Sequence, residues 1–177
     1  MGATDRAGTL MAARIFAALV PVLCGFLAVV LSNVPLALVG GLVPAPLLGL
    51  VPIYYWCLVR PDLMTPAATF AIGMLQDIMA GGPPGVWILS FVVTYALIQR
   101  QRDSFAGLSG WGAVLGFATV ALVTCGVAYG VTAILYHLPP LGPMVGELAM
   151  TVLFYIPGAL VLGVIHHRLV GPLRSDI

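Results

Sequence analysis

Gly73-Met74-Leu75-Gln76-Asp77-Ile78-Met79-Ala80-Gly81-Gly82-Pro83-Pro84-Gly85 sets an amide and a carboxylate inside an apolar segment, then turns at once into a Gly/Pro corner. A carboxylate at bilayer depth costs about 2.5–3.5 kcal/mol on insertion scales, so Asp77 needs a partner or a use. Thr69, Gly73 and Asp77 fall at i, i+4 and i+8 and share one face of a helix. Gly73 on that face lets a neighbouring backbone come close. Two readings of Asp77 follow. In one it is a proton or cation site, with Gln76 beside it. In the other its carboxylate accepts hydrogen bonds from free backbone N–H groups around Gly81–Trp87, where the next helix begins and its dipole favours an anion. The second reading accounts for the carboxylate and the corner together.

Composition sets the solvent. Of 177 residues, 61% are hydrophobic and 7% are charged. A soluble domain carries about 25% charged residues, so this chain cannot cover a water-facing surface, and the expected fold class is an all-α integral membrane protein. The length suits a single polytopic domain over residues 1–177. No stretch reads as a cleaved signal peptide, because the first apolar run continues to Leu31 without a small-residue cleavage site. Cys24, Cys57 and Cys125 each sit in apolar runs and read as small buried hydrophobes. No metal-ligand spacing, P-loop or basic stripe for nucleic acid is present in the sequence.

A spanning helix takes about 20 apolar residues. Six candidates are expected, at about 15–32, 46–59, 66–80, 85–99, 111–136 and 144–165. Residues 36–45 contain Gly40, Gly41 and Pro44 and read as irregular or re-entrant. The basic residues test this plan. Arg6, Arg14, Arg60, Arg100, Arg102, Arg168 and Arg174 all fall on one side of a six-helix layout, and the chain has no lysine. Positive residues favour the cytoplasm, which places both termini there.

Other residues carry weaker signals. Glu147, one turn into the last helix, reads as an acidic first-turn residue favoured by the dipole, with partner or ion binding as the alternative. His137 reads as a solvated corner residue, and His166 and His167 as helix-end or headgroup contacts. Arg60-Pro61-Asp62 makes a short cytoplasmic link pinned by a local ion pair, or else a docking surface. The preceding Tyr54-Tyr55-Trp56 suits an interfacial aromatic belt. Ala67/Ala71, Gly112/Gly116 and Gly126/Gly130 permit close helix contact, within the chain or in a homo-oligomer. No nucleophile, metal set or oxyanion donor accompanies the acidic residues, so no catalytic, metal or cofactor site is expected.

Over about residues 10–170 the chain resembles MreD, the small membrane protein of the bacterial rod-shape system. The resemblance is carried by Gly73, Gln76 and Asp77 followed by Gly81, Gly82, Pro83, Pro84 and Gly85. The Pro-rich lead into a short second helix and Tyr54-Tyr55-Trp56 through Arg60-Pro61 support it. The family commonly has a single proline followed by leucine and glycine at the corner, whereas Gly85 here follows Pro84 directly. The resemblance implies a fold similar to the substrate-binding subunits of energy-coupling-factor transporters. It also implies a non-enzymatic scaffold in the bacterial inner membrane, surrounded by membrane lipids. Its partners would be MreC, a single-pass protein with a periplasmic domain, and the MreB filament, RodA and the elongation penicillin-binding transpeptidase. The role implied is support of lateral peptidoglycan synthesis and rod shape.

A solute-binding subunit of an energy-coupling-factor-type transporter is the competing expectation. It would line an outer pocket with polar and aromatic side chains. Gln76, Asp77, Trp87, Tyr136, His137 and Glu147 are the few on offer.

Overall fold

A computed structural model describes residues 3–34, 44–108, 110–136 and 138–170. The regular elements are α1 (Ala3–Asn33), α2 (Leu50–Val59), α3 (Pro66–Ala80), α4 (Val86–Arg100), α5 (Arg102–Ala106), α6 (Trp111–Leu135) and α7 (Leu141–Ile165). A π-helical turn, His166–Val170, continues α7. Among the described residues there is no strand. Residues 36–43 of the expected irregular segment lie outside the described residues, as do His137 and Arg174 and the side chains of Arg6 and Arg14.

Several boundaries differ from expectation, each for a local reason. α1 begins at Ala3 rather than near residue 15, because Ala7, Met11, Ala12, Ala13 and Arg14 are strong helix formers while hydropathy marks only the apolar part. α2 begins at Leu50 rather than 46. The Leu47 N–H is taken by Thr151 Oγ1 at 2.8 Å and the Leu48 N–H by Ser32 Oγ at 3.0 Å, which holds these residues out of the helix. Pro52 then falls in the first turn, where no intrahelical donor is needed. α7 begins at Leu141 rather than 144, with Pro143 tolerated in its first turn for the same reason. α5 was not expected at all: its charged sequence hides Phe105, which is buried against Tyr54. The start of α3 at Pro66 is as expected, capped by Thr65 Oγ1 accepting from the Ala68 N–H at 3.1 Å.

α2 is the centre of the molecule. Its 10 residues reach only about 15 Å, half the thickness of a hydrocarbon core. It is apolar on every face, as a wholly buried helix must be. α1, α3, α4, α6 and α7 follow one another around it, with α5 beneath. Tyr54 meets Phe105, Phe117 and Tyr155 edge-on at 6.1, 5.4 and 5.8 Å, and Phe117 stacks on Tyr155 at 4.3 Å. Tyr54 and Trp56 therefore belong to the core and not to an interfacial belt; α5, α6 and α7 wrap the end of α2 that carries them. Gly116 is what admits the Tyr54 ring, since a Cβ there would lie 2.8 Å from its hydroxyl.

The perimeter is apolar. Leu27 of α1, Ile78 of α3, Leu122 of α6 and Leu160 of α7 are 71%, 69%, 55% and 69% exposed. The spans Trp111–Leu135 and Leu141–Leu169 are long and apolar enough to cross a membrane. The two ends of the bundle differ sharply. One carries the Gly81–Gly85 and Pro139–Pro140 corners; the other carries Arg60, Arg102 and the His166 turn.

The Tyr54 hydroxyl is buried with no hydrogen-bond partner among the described residues. Tyr54→Phe is therefore expected to raise stability by about 1 kcal/mol, measured by equilibrium unfolding in mixed micelles. A loss of that size instead would show that the hydroxyl is satisfied.

Candidate functional site

The corner after α3 is built on one carboxylate. Asp77 Oδ2 accepts from the Gly85 N–H at 3.0 Å and the Ile88 N–H at 3.1 Å, and Oδ1 accepts from the Trp87 N–H at 2.9 Å. These donors lie at the end of the Gly81–Trp87 window and one residue past it. They are the free N–H groups of the first turn of α4, where a helix leaves its donors unpaired and its dipole favours an anion. Asp77 is thus the cap that α4 lacks locally, since its own N-cap residue is Gly85, with no side chain. Gly81 and Gly85 take positive φ, 62° and 91°, and so end α3 and begin α4 in conformations that a side chain would strain. Pro83 and Pro84 sit between them in a stretch where no backbone donor is required.

Gly73 completes the arrangement. A Cβ at this position would lie 2.8 Å from Ile88 Cα and 3.2 Å from the Trp87 carbonyl oxygen. The absence of a side chain lets the α4 backbone approach closely enough for Asp77, one turn further on, to reach its donors. Thr69, Gly73 and Asp77 form the buried face as their spacing predicts. Gln76 is buried beside them, and its Oε1 has no partner among the described residues.

Glu147 lies elsewhere on the same end of the molecule. It lines a cleft of about 240 Å³ between α4, α6 and α7, together with Trp87, Cys125, Tyr129 and Thr132. Pro83, Pro139, Pro140 and Pro143 close the rim. Of the residues expected in an outer pocket, the structure brings Trp87 and Glu147 together. Gln76 and Asp77 do not line the cleft, and Tyr136 is half exposed at the end of α6. Tyr129 and Thr132 escaped the sequence reading, although Cys125, Tyr129 and Thr132 recur at helical spacing and mark one face of α6.

The opposite end holds the basic residues. Arg60 Nε donates to Asp62 Oδ1 at 3.0 Å and Nη2 to Oδ2 at 2.8 Å, a two-point pair across Pro61. The guanidinium holds the Asp62 carboxyl below the usual carboxylate range. His166, at the end of α7, packs edge-on against Trp56 at 5.6 Å and Tyr55 at 6.5 Å. Among the small-residue pairs, Gly112 meets Leu108 and Gly116 meets Tyr54, whereas Gly126 and Gly130 face open space. Among the described residues no three His, Cys, Asp or Glu side chains converge as a metal site would require.

The chain matches no protein-family model, no curated protein and no solved structure.

Asp77→Leu leaves three buried N–H groups unpaired and is expected to destabilise by about 3 kcal/mol or more, while Asp77→Asn keeps one acceptor and costs roughly half as much. Equilibrium unfolding of the two variants in mixed micelles checks the order; equal losses would show that charge, not acceptance, is what the site needs. Gly73→Ala forces α3 and α4 apart and is expected to cost about 1–3 kcal/mol in the same assay.

Proposed function

We infer that this protein is a multi-pass bacterial inner-membrane scaffold of the MreD kind, without catalytic activity, that holds a single-pass partner and supports the wall-synthesis assembly of cell elongation. Its crossings are α1, the segment 46–59 containing α2, α3, α4, α6 and α7, with both termini in the cytoplasm. Four features support the membrane setting: the two long apolar helices, the apolar perimeter, the short central α2, and the gathering of Arg60, Arg102 and the His166 turn at one end.

The observation that carries the scaffold reading is a groove. The ring of helices around α2 is open between α1 and α7, where an apolar groove of about 300 Å³ runs over Val51 and Pro52 of α2. Leu27 and Leu31 form one wall, Phe154 and Val161 the other. Lipid chains are as apolar as these side chains, so helices associate in a membrane through shape and close packing. A furrow whose floor is a short central helix has the form that a partner's single transmembrane helix would fill. A solute-binding transport subunit is the second reading, and the cleft around Glu147 is the observation in its favour.

Two experiments test the proposal. A reporter fused after Arg102 is expected to read as cytoplasmic, and a periplasmic signal would overturn the six-crossing plan. Leu27→Trp and Val161→Trp fill the groove and are expected to abolish co-purification of a single-pass periplasmic protein and wall-synthesis enzymes from native membranes. Leu122→Trp, on the open face of α6, should leave it intact. Recovery of an ATPase pair in place of these partners would favour the transport reading.

A further inference from the structure

Two carboxylates lie at the corner end of the molecule, in opposite circumstances. Asp77 is saturated by three backbone donors. The Glu147 carboxylate lines the cleft and has no basic partner among the described residues. Arg60 and Arg102 lie at the far end, so no arginine placed there neutralises this position.

The walls of the cleft discriminate by charge. Pro83, Pro139, Pro140 and Pro143 carry no backbone N–H, so the rim offers an anion few donors. Trp87 and Tyr129 supply aromatic rings, whose faces attract cations. Trp87 is also held in place, because its N–H is bonded to Asp77. The cleft has a volume of about 240 Å³, room for a small molecule.

We propose that this cleft binds a small organic ammonium ion, with its charge on Glu147 and its apolar body against Trp87 and Tyr129. The cation is a free amine and not a zwitterionic lipid headgroup, since the phosphate of such a lipid would enter a site with a carboxylate and no described basic group. The site stands apart from the groove between α1 and α7, so it holds whether or not the scaffold reading does.

The test is calorimetric titration of the full chain, in detergent, with benzylammonium and its neutral counterpart benzyl alcohol. Benzylammonium is expected to bind saturably and the alcohol at least about tenfold more weakly. Glu147→Gln should erase that preference, while Glu147→Asp, which keeps the charge, should retain most of it and shows that the site tolerates change. No saturation up to about 10 mM, equal binding of the two probes, or an unchanged preference in Glu147→Gln would each overturn the proposal. A second arm uses nanodiscs. Equal benzylammonium affinity in phosphatidylethanolamine and phosphatidylglycerol discs supports a free amine, whereas loss of binding only with phosphatidylethanolamine gives the site to the lipid headgroup and overturns it. Partner co-purification by Glu147→Gln reports separately on the scaffold, because that residue does not line the groove.

Discussion

The acceptance of three backbone N–H groups by the Asp77 carboxylate is the interaction on which the corner end of this protein depends. A helix that begins beneath apolar surroundings has no water to satisfy its first donors, and α4 begins with a glycine that cannot cap it. Asp77 meets both needs from the preceding helix. In doing so it ties α3 to α4 at their shared end, and Gly73 allows the two backbones to meet one turn earlier. The direction of dependence matters: Trp87 and Val86, which line the cleft, take their positions from a carboxylate that does not itself face the cleft.

A second constraint acts at the entrance to α2. Prolines at 44, 46 and 52 prevent a continuous helix here, and buried backbone that is not helical must find other partners. Ser32 at the end of α1 and Thr151 in α7 provide them through their hydroxyls. Each hydroxyl also donates back to its own helix, Ser32 to the Ala28 carbonyl and Thr151 to the Glu147 carbonyl, so both are satisfied twice over. The same two contacts hold α1 and α7 on opposite sides of the α2 entrance. The groove between them is then a consequence of how a proline-broken segment is sealed: α2 is enclosed on the other sides and left open at this gap in the ring.

How much of this was legible in the sequence follows from where each signal resides. The α3–α4 hairpin was readable because its whole logic is local: Thr65-Pro66 starts a helix, Gly81 ends it, and Asp77 lies within eleven residues of all its donors. Hydropathy found the apolar body of α1 but not its start, because helix propensity continues where hydrophobicity stops. Tyr54 and Trp56 were misplaced for a different reason. An aromatic cluster beside Arg60 has the same sequence signature whether it faces lipid headgroups or is covered by another helix, and the covering α5 is too short and too charged to announce itself. The cleft was half visible: Trp87 and Glu147 are conspicuous as polar or aromatic residues near corners, but Tyr129 joins them only through the packing of α6 between α4 and α7.

The contrast between Asp77 and Glu147 separates fold from function more cleanly than residue type does. Both are acids near a Gly/Pro corner at the same end of the molecule; Asp77 lies near the end of α3, and Glu147 lies past the first turn of α7, not within it as its spacing from Pro143 suggests. What distinguishes them is the supply of donors. Asp77 is surrounded by N–H groups that no other acceptor serves, so its charge is consumed in building the corner. Glu147 sits within an intact helix, whose backbone donors are already paired, and faces prolines that have none. Among the described residues no basic side chain pairs with it, so its charge is not consumed in building the fold.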